Sequence, residues 1–120
     1  MQLELFKSIL SFIAPQELID NFELVSYREH GDNIILEFEE LPTLVPAELS
    51  EKDIKLCGFW NKVELQTFPQ KGKGCFLHIR RRKWEDKATG KFFGNQYKLH
   101  KEGMKATNDF GAFLKKNNRI

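Results

Sequence analysis

Cys75-Phe76-Leu77-His78-Ile79-Arg80-Arg81-Arg82-Lys83-Trp84 decides how the chain is read, because its alternation marks a long strand whose second half is dense in cations. Cys75, Leu77 and Ile79 share one side of that strand and are expected to pack inward. Phe76, His78, Arg80, Arg82 and Trp84 share the other, which predicts an outward ridge of alternating rings and guanidinium groups. Such a ridge suits nucleic acid: arginine forks pair with phosphates or guanine edges, and rings cover sugars or stack on bases. Arg81 and Lys83 have the inward parity but lie beyond Ile79 near a hairpin tip, where burial ends, so they add charge to the same footprint. The plainer alternative is a solvated edge strand guarded by its charge, a task for which one or two cations suffice.

On the C-terminal side, Glu85-Asp86-Lys87-Ala88-Thr89-Gly90-Lys91 carries strong hairpin chemistry, with Gly90 placed for the positive φ that closes such loops. Lys91 to Leu99 is then expected to return as the partner strand. A final helix over Asn108 to Lys116 is predicted, capped by Thr107 or Asn108, burying Phe110, Phe113 and Leu114, and placing Lys115 and Lys116 where cations suit the helix dipole.

On the N-terminal side, Val63, Leu65 and Thr67 alternate with Glu64, Gln66 and Phe68 in a strand that Pro69 is expected to end. The loop Pro69-Gln70-Lys71-Gly72-Lys73-Gly74 offers glycines to turn and lysines to meet a phosphate. Leu41 to Leu56 reads as a connector containing proline. Phe22 to Glu29 and Asn33 to Glu39 read as a hairpin across His30-Gly31-Asp32. Before it, Leu5, Phe6, Ile9, Leu10 and Ile13 recur at helical spacing, and Pro15 opens a short second helix over Gln16 to Asn21. The fold class expected is α+β: an N-terminal helix and hairpin, then an antiparallel β-hairpin unit and a C-terminal helix, in one domain spanning 1–120.

The formal net charge of +2 conceals a segregation. Residues 1–56 hold 4 Lys and Arg against 12 Asp and Glu, whereas residues 71–105 hold 11 against 3. An acidic half (1–56) and a basic half (57–120) predict a dipolar molecule whose basic side attracts polyanions, unless the halves neutralise one another across an internal interface. The candidate nucleic-acid contacts are Lys71, Lys73, His78, Arg80, Arg81, Arg82, Lys83, Trp84, Lys87 and Lys91.

Several classes are set aside. No apolar stretch approaches the roughly 20 residues of a membrane span, and no basic n-region follows Met1, so a cytoplasmic location is expected. Cys57 and Cys75 are too few for a disulfide framework and lack the close-spaced pairing of a zinc site, so both are expected to be thiols and no metal or cofactor is assigned. No three carboxylates are placed to hold catalytic metals, and Gly72-Lys73-Gly74 lacks the spacing and Ser/Thr of a phosphate-binding loop. His30, His78 and His100 stand outside any nucleophile motif, so no enzymatic activity is expected.

The second half of the chain resembles the short N-terminal region proteins of bacterial insertion-sequence transposases of the ISAon type, and more distantly the N-terminal part of ISL-type transposases. The likeness rests on Gly58-Phe59, Phe68-Pro69 with Gly72-Lys73, and Leu77 through Trp84. It continues through Asp86-Lys87, Thr89-Gly90-Lys91, Gly103-Met104-Lys105, Thr107, Phe110 and Phe113-Leu114-Lys115. The resemblance implies recognition of the double-stranded DNA at the element's terminal repeats, with Arg80, Arg81, Arg82, Lys83 and Trp84 as the contacting strand. The metal-dependent acidic core would then belong to a separate catalytic transposase chain, and a homodimer is among the assemblies allowed. The zinc-binding cysteine pairs of the ISL-type relatives are absent here, as are the catalytic acids. Two other readings stay open: an interaction subunit docking on the catalytic chain, and a single-strand or RNA-binding module that stacks bases on Phe76 and Trp84.

Overall fold

The computed structural model describes residues 2–99 and 106–117; the expectations for His100, Gly103 to Lys105 and the last three residues lie outside them. Helix α1 (Gln2–Leu10) and α2 (Gln16–Asn21) precede a hairpin of β1 (Phe22–His30) and β2 (Asn33–Glu40). A 3-10 turn (Ala47–Leu49) leads to β3 (Ile54–Phe59), β4 (Val63–Gln70), β5 (Lys73–Arg80), β6 (Arg82–Asp86) and β7 (Phe92–Phe93), and α3 (Asn108–Asn117) follows. The fold is α+β, as the alternation of helical and period-two patterns predicts.

The strands form two sheets, a 4-stranded one in the order β1-β2-β5-β4 and a 3-stranded one in the order β3-β6-β7. Local turn chemistry builds the two hairpins of the first sheet. Gly31 at φ 60 turns β1 into β2, and Lys71 and Gly72, at φ 51 and 77, form the two-residue turn with both central φ positive that joins β4 to β5. What joins the hairpins is not local: β2 runs parallel to β5, with Leu36 opposite Leu77 and Phe38 opposite Ile79. The acidic and basic halves of the sequence therefore hydrogen-bond to each other through the middle of one sheet.

Cys75, Leu77 and Ile79 face inward as expected, each 1% exposed or less. With Leu36, Phe38 and Leu65 they make one apolar sheet face, against which Leu10, Ala14, Leu18, Ile19 and Leu99 pack. Buried Thr67 on that face donates its hydroxyl to the Ile13 carbonyl at 2.6 Å, tying the end of the first helical segment to β4. Thr107 caps α3, its Oγ1 accepting the Phe110 N–H at 3.3 Å. Phe110 is buried against Phe68, but Phe113 and Leu114 stay 46% and 43% exposed, which corrects the expectation that all three are buried.

Four further expectations are revised. Pro69 does not end its strand; it sits exposed within β4 where the register shifts between Thr67 and Gln70, a bulge that needs no proline N–H. The connector 41–56 already contains the 3-10 turn and the start of β3. The return strand after Gly90 is only Phe92–Phe93, and the chain beyond it is held by side chains. Above all, the long strand 75–84 is two strands, broken at Arg81.

Glu40 accounts for the break. This carboxylate, fully buried at the end of β2, accepts the Arg82 backbone N–H at 2.7 Å, so that donor leaves the first sheet's ladder. The Glu40 carbonyl accepts Arg82 Nε at 2.8 Å, and the second carboxylate oxygen accepts Asn95 Nδ2 at 2.9 Å and the Tyr97 hydroxyl. One residue thus turns the chain from β5 into β6 and anchors segment 95–97. Burial and the adjacent Glu40 carboxylate push the Tyr97 phenol far above the ordinary tyrosine range.

Two outcomes follow. Glu40→Ala strands the Arg82 backbone N–H and the Tyr97 hydroxyl and is expected to cost on the order of 3 kcal/mol in urea unfolding; a loss below about 1 kcal/mol would show that other contacts make the junction. Because the native phenol resists ionisation while the unfolded one ionises near pH ~10, the stabilisation is complete below that pH and declines as pH rises above it. The melting temperature should therefore drop at alkaline pH less steeply in Tyr97→Phe than in wild type, as read by thermal unfolding across a pH series.

Candidate nucleic-acid interface

The break at Arg81 distributes the cationic run over two surfaces. Arg80 ends β5 on the face opposite the core, beside Glu39 of β2, with Nη1 4.0 Å from the carboxylate. That face also carries Glu37 and Glu64, so it is not the basic surface that the alternation predicts. His78 shows the same reversal: it is 5% exposed, its Nε2 lies 2.7 Å from Glu64 Oε2, and Lys62 Nζ approaches Nδ1 at 3.4 Å. An imidazole that accepts from Lys62 and donates to Glu64 is a satisfied strand residue, and it is withdrawn as a nucleic-acid contact.

Trp84 is withdrawn as well. It is 6% exposed in the middle of β6, cross-strand from Leu56 and Phe93, with its indole N–H buried and finding no acceptor among the described residues. The parity argument failed because Arg81 interrupts the strand, so Arg82 and Trp84 belong to the second sheet and not to the outer face of the first. Two further candidates are engaged with acids: Lys73, at the start of β5, with Glu29 at 2.8 Å, and Lys87 with Asp53 at 3.6 Å. The Lys73 ammonium beside Glu29 holds that carboxyl below its ordinary value. The internal neutralisation considered above thus operates at Glu29, Glu39 and Asp53. Lys71 and Lys91 are exposed at turns.

The remaining cations of the run meet rings. The Arg82 guanidinium lies 4.5 Å from the Phe59 ring centre and that of Arg80 5.8 Å from it. On the other side, Arg81 and Lys83 stand 5.8 and 4.9 Å from the Trp60 ring, and Lys83 is also 4.8 Å from Phe92. Arg81 donates to the Asn95 carbonyl at 2.8 Å, which fixes its long side chain. Rings and carbonyls have no net charge to cancel an ammonium or guanidinium, so these contacts order the cations and leave their field directed outward.

In β6 the side chains alternate, with Trp84 and Asp86 buried and Lys83 and Glu85 turned to the other face. Lys55 is cross-strand from Glu85 and so is Phe92, which is 47% exposed. Lys55, Lys83, Glu85 and Phe92 therefore share one face of the second sheet, bordered by Trp60 and Arg81. Residues 54–60 and 80–95, which contain that sheet, hold 7 Lys and Arg against 2 Asp and Glu. Phe59, Trp60, Phe92 and Lys55 were not among the candidate contacts, Phe59 entering only through the Gly58-Phe59 likeness. The adjacent aromatics Phe59 and Trp60, just past the connector, were the available signal.

Trp60 fits this site closely. Gly94 lies under its indole, where an added Cβ would stand 2.4 Å from Trp60 Nε1 and 3.3 Å from Arg81 Nη1. Among the described residues no cluster of three or more His, Cys, Asp and Glu could hold a metal ion, and no helix is long and apolar enough to cross a membrane. Cys57 and Cys75 are free thiols, and burial raises the Cys75 pKa. No family model, curated protein or solved structure matches the chain.

Gly94→Ala is expected to push the indole off its seat, with a loss of about 1–3 kcal/mol from overpacking and a changed tryptophan emission. Emission and stability both equal to wild type would mean that Trp60 does not rest on Gly94.

Proposed function

We propose that this chain binds double-stranded DNA as the N-terminal region of an insertion-sequence transposase, recognising the element's terminal repeats for a separate catalytic chain. The observation that carries the proposal is the pair Arg81 and Lys83, ordered by Trp60 and Phe92 rather than by carboxylates. A pre-ordered cation loses little side-chain entropy on meeting a phosphate, and an unneutralised one retains its attraction. The contacting set in this proposal is Lys55, Arg81, Lys83 and Lys91, with Phe92 covering sugar or base. Arg82 is held back by its bond to the Glu40 carbonyl. The likeness of Leu77 through Trp84 to the transposase N-terminal regions supplies the biological setting, and any divalent metal belongs to the catalytic partner.

The interaction-subunit reading has its own support in the acid-paired cations Lys73, Arg80 and Lys87. It expects no DNA affinity even at low salt. A mobility-shift titration with terminal-repeat duplex, scrambled duplex and unpaired oligonucleotide separates these readings. DNA binding through the four cations Lys55, Arg81, Lys83 and Lys91 would weaken by roughly two powers of ten between 50 and 200 mM salt. Lys55→Ala/Lys83→Ala should lower the slope of log affinity against log salt by about 2. An unaltered slope would remove this face, and preference for the unpaired strand would favour the stacking module.

A further inference from the structure

Helix α1 is an amphipathic helix with too much apolar surface for the body it sits on. Of its described side chains only Leu10 is buried, while Leu3, Leu5, Phe6 and Ile9 are 62%, 63%, 47% and 59% exposed and Phe12, just beyond, is 78% exposed. Leu5, Ile9 and Phe12 follow i, i+4, i+7 spacing, the seam of a helix–helix contact, and lie away from the Leu10 side. A helix of 9 residues has little stability in water without packing, and one buried leucine supplies little of it.

The space beside α1 is equally unfinished. A groove of about 300 Å³ runs between Phe6, Ile9 and Phe12 on one wall and Leu24 and Leu36 of the sheet on the other. Tyr27 of β1, cross-strand from Leu36 and thus on the same face, is 64% exposed. The core face of the sheet therefore lacks cover along its β1 edge, next to α1.

We infer that a second copy of this chain covers it: the α1 helices of two copies pack antiparallel across a two-fold axis near Ile9, Leu5 of each against Phe12 of the other. Two observations choose a second copy over a different partner. The first is charge. Residues 1–56 are strongly acidic, yet Leu5, Ile9 and Phe12 and the adjoining Ser8 carry no charge, with Lys7 on the far side of the helix and Glu4 beyond Ser8. A two-fold axis brings every group near it against its own copy, so a charged seam would repel itself. The second is area. The four exposed side chains on the seam and groove side, Leu5, Phe6, Ile9 and Phe12, present on the order of 500 Å² of apolar surface, close to the apolar share of a homodimer interface of about 800 Å² per partner.

The inference is independent of DNA binding, and its test contains no nucleic acid. Sedimentation of the full chain over a concentration series should give twice the 14.1 kDa protomer mass. Leu5→Glu/Ile9→Glu, which changes exposed side chains only, should sediment as a protomer with unchanged far-UV circular dichroism. A short bis-maleimide should link Ile9→Cys chains in a Cys57→Ser background, and should fail to link Ser26→Cys chains in the same background, since Ser26 lies on the opposite face of the sheet. A wild type that stays a protomer at every concentration, a double-glutamate variant that keeps the dimer mass, or an Ile9→Cys chain that does not cross-link would each overturn the inference.

Discussion

The arrangement of the whole molecule depends on one buried carboxylate. Glu40 ends β2 with no exposure to solvent, and four groups converge on it: the backbone and side chain of Arg82, the Asn95 amide and the Tyr97 hydroxyl. A carboxylate in that position is tolerated only when its oxygens are occupied by donors. Here the donors come from the strand that must bend and from the segment that must return. The same bonds that satisfy the charge therefore determine where the first sheet stops and where the second begins.

That junction also sorts the charges. Cations on the first-sheet side of Arg81, or in the turns near it, find acids: Arg80 with Glu39, Lys73 with Glu29. In the second sheet Arg81, Arg82 and Lys83 find aromatic faces and carbonyl oxygens, while Lys87, in the loop after β6, pairs with Asp53. Neutralised and unneutralised cations thus occupy different surfaces a few residues apart in sequence.

Sequence patterning was informative where the deciding interaction is local. The Gln16–Asn21 helix, the turn at Gly31, the inward parity of Cys75, Leu77 and Ile79, and the Thr107 cap each follow from a few adjacent residues, and each is found. The basic site was legible only as a location. Among the described residues Arg81, Lys83 and Lys91 stand without a carboxylate partner, whereas His78 and Trp84 are buried, and the rings Trp60 and Phe92 beside those cations were not read from sequence. Parity counting fails across a strand break, and the break comes from Glu40, 42 residues before Arg82.

By itself, then, the amino-acid order determined the α+β class, the helices, the hairpin turns, the core face of β5 and the concentration of positive charge after residue 70, because propensity, turn chemistry and charge act over short distances. Tertiary structure decided the parallel union of β2 with β5, the division of residues 75–84 between two sheets, and which cations remain unneutralised. Those depend on which distant donor reaches a buried acceptor and which ring lies beneath a cation, and no short-range pattern carries that information.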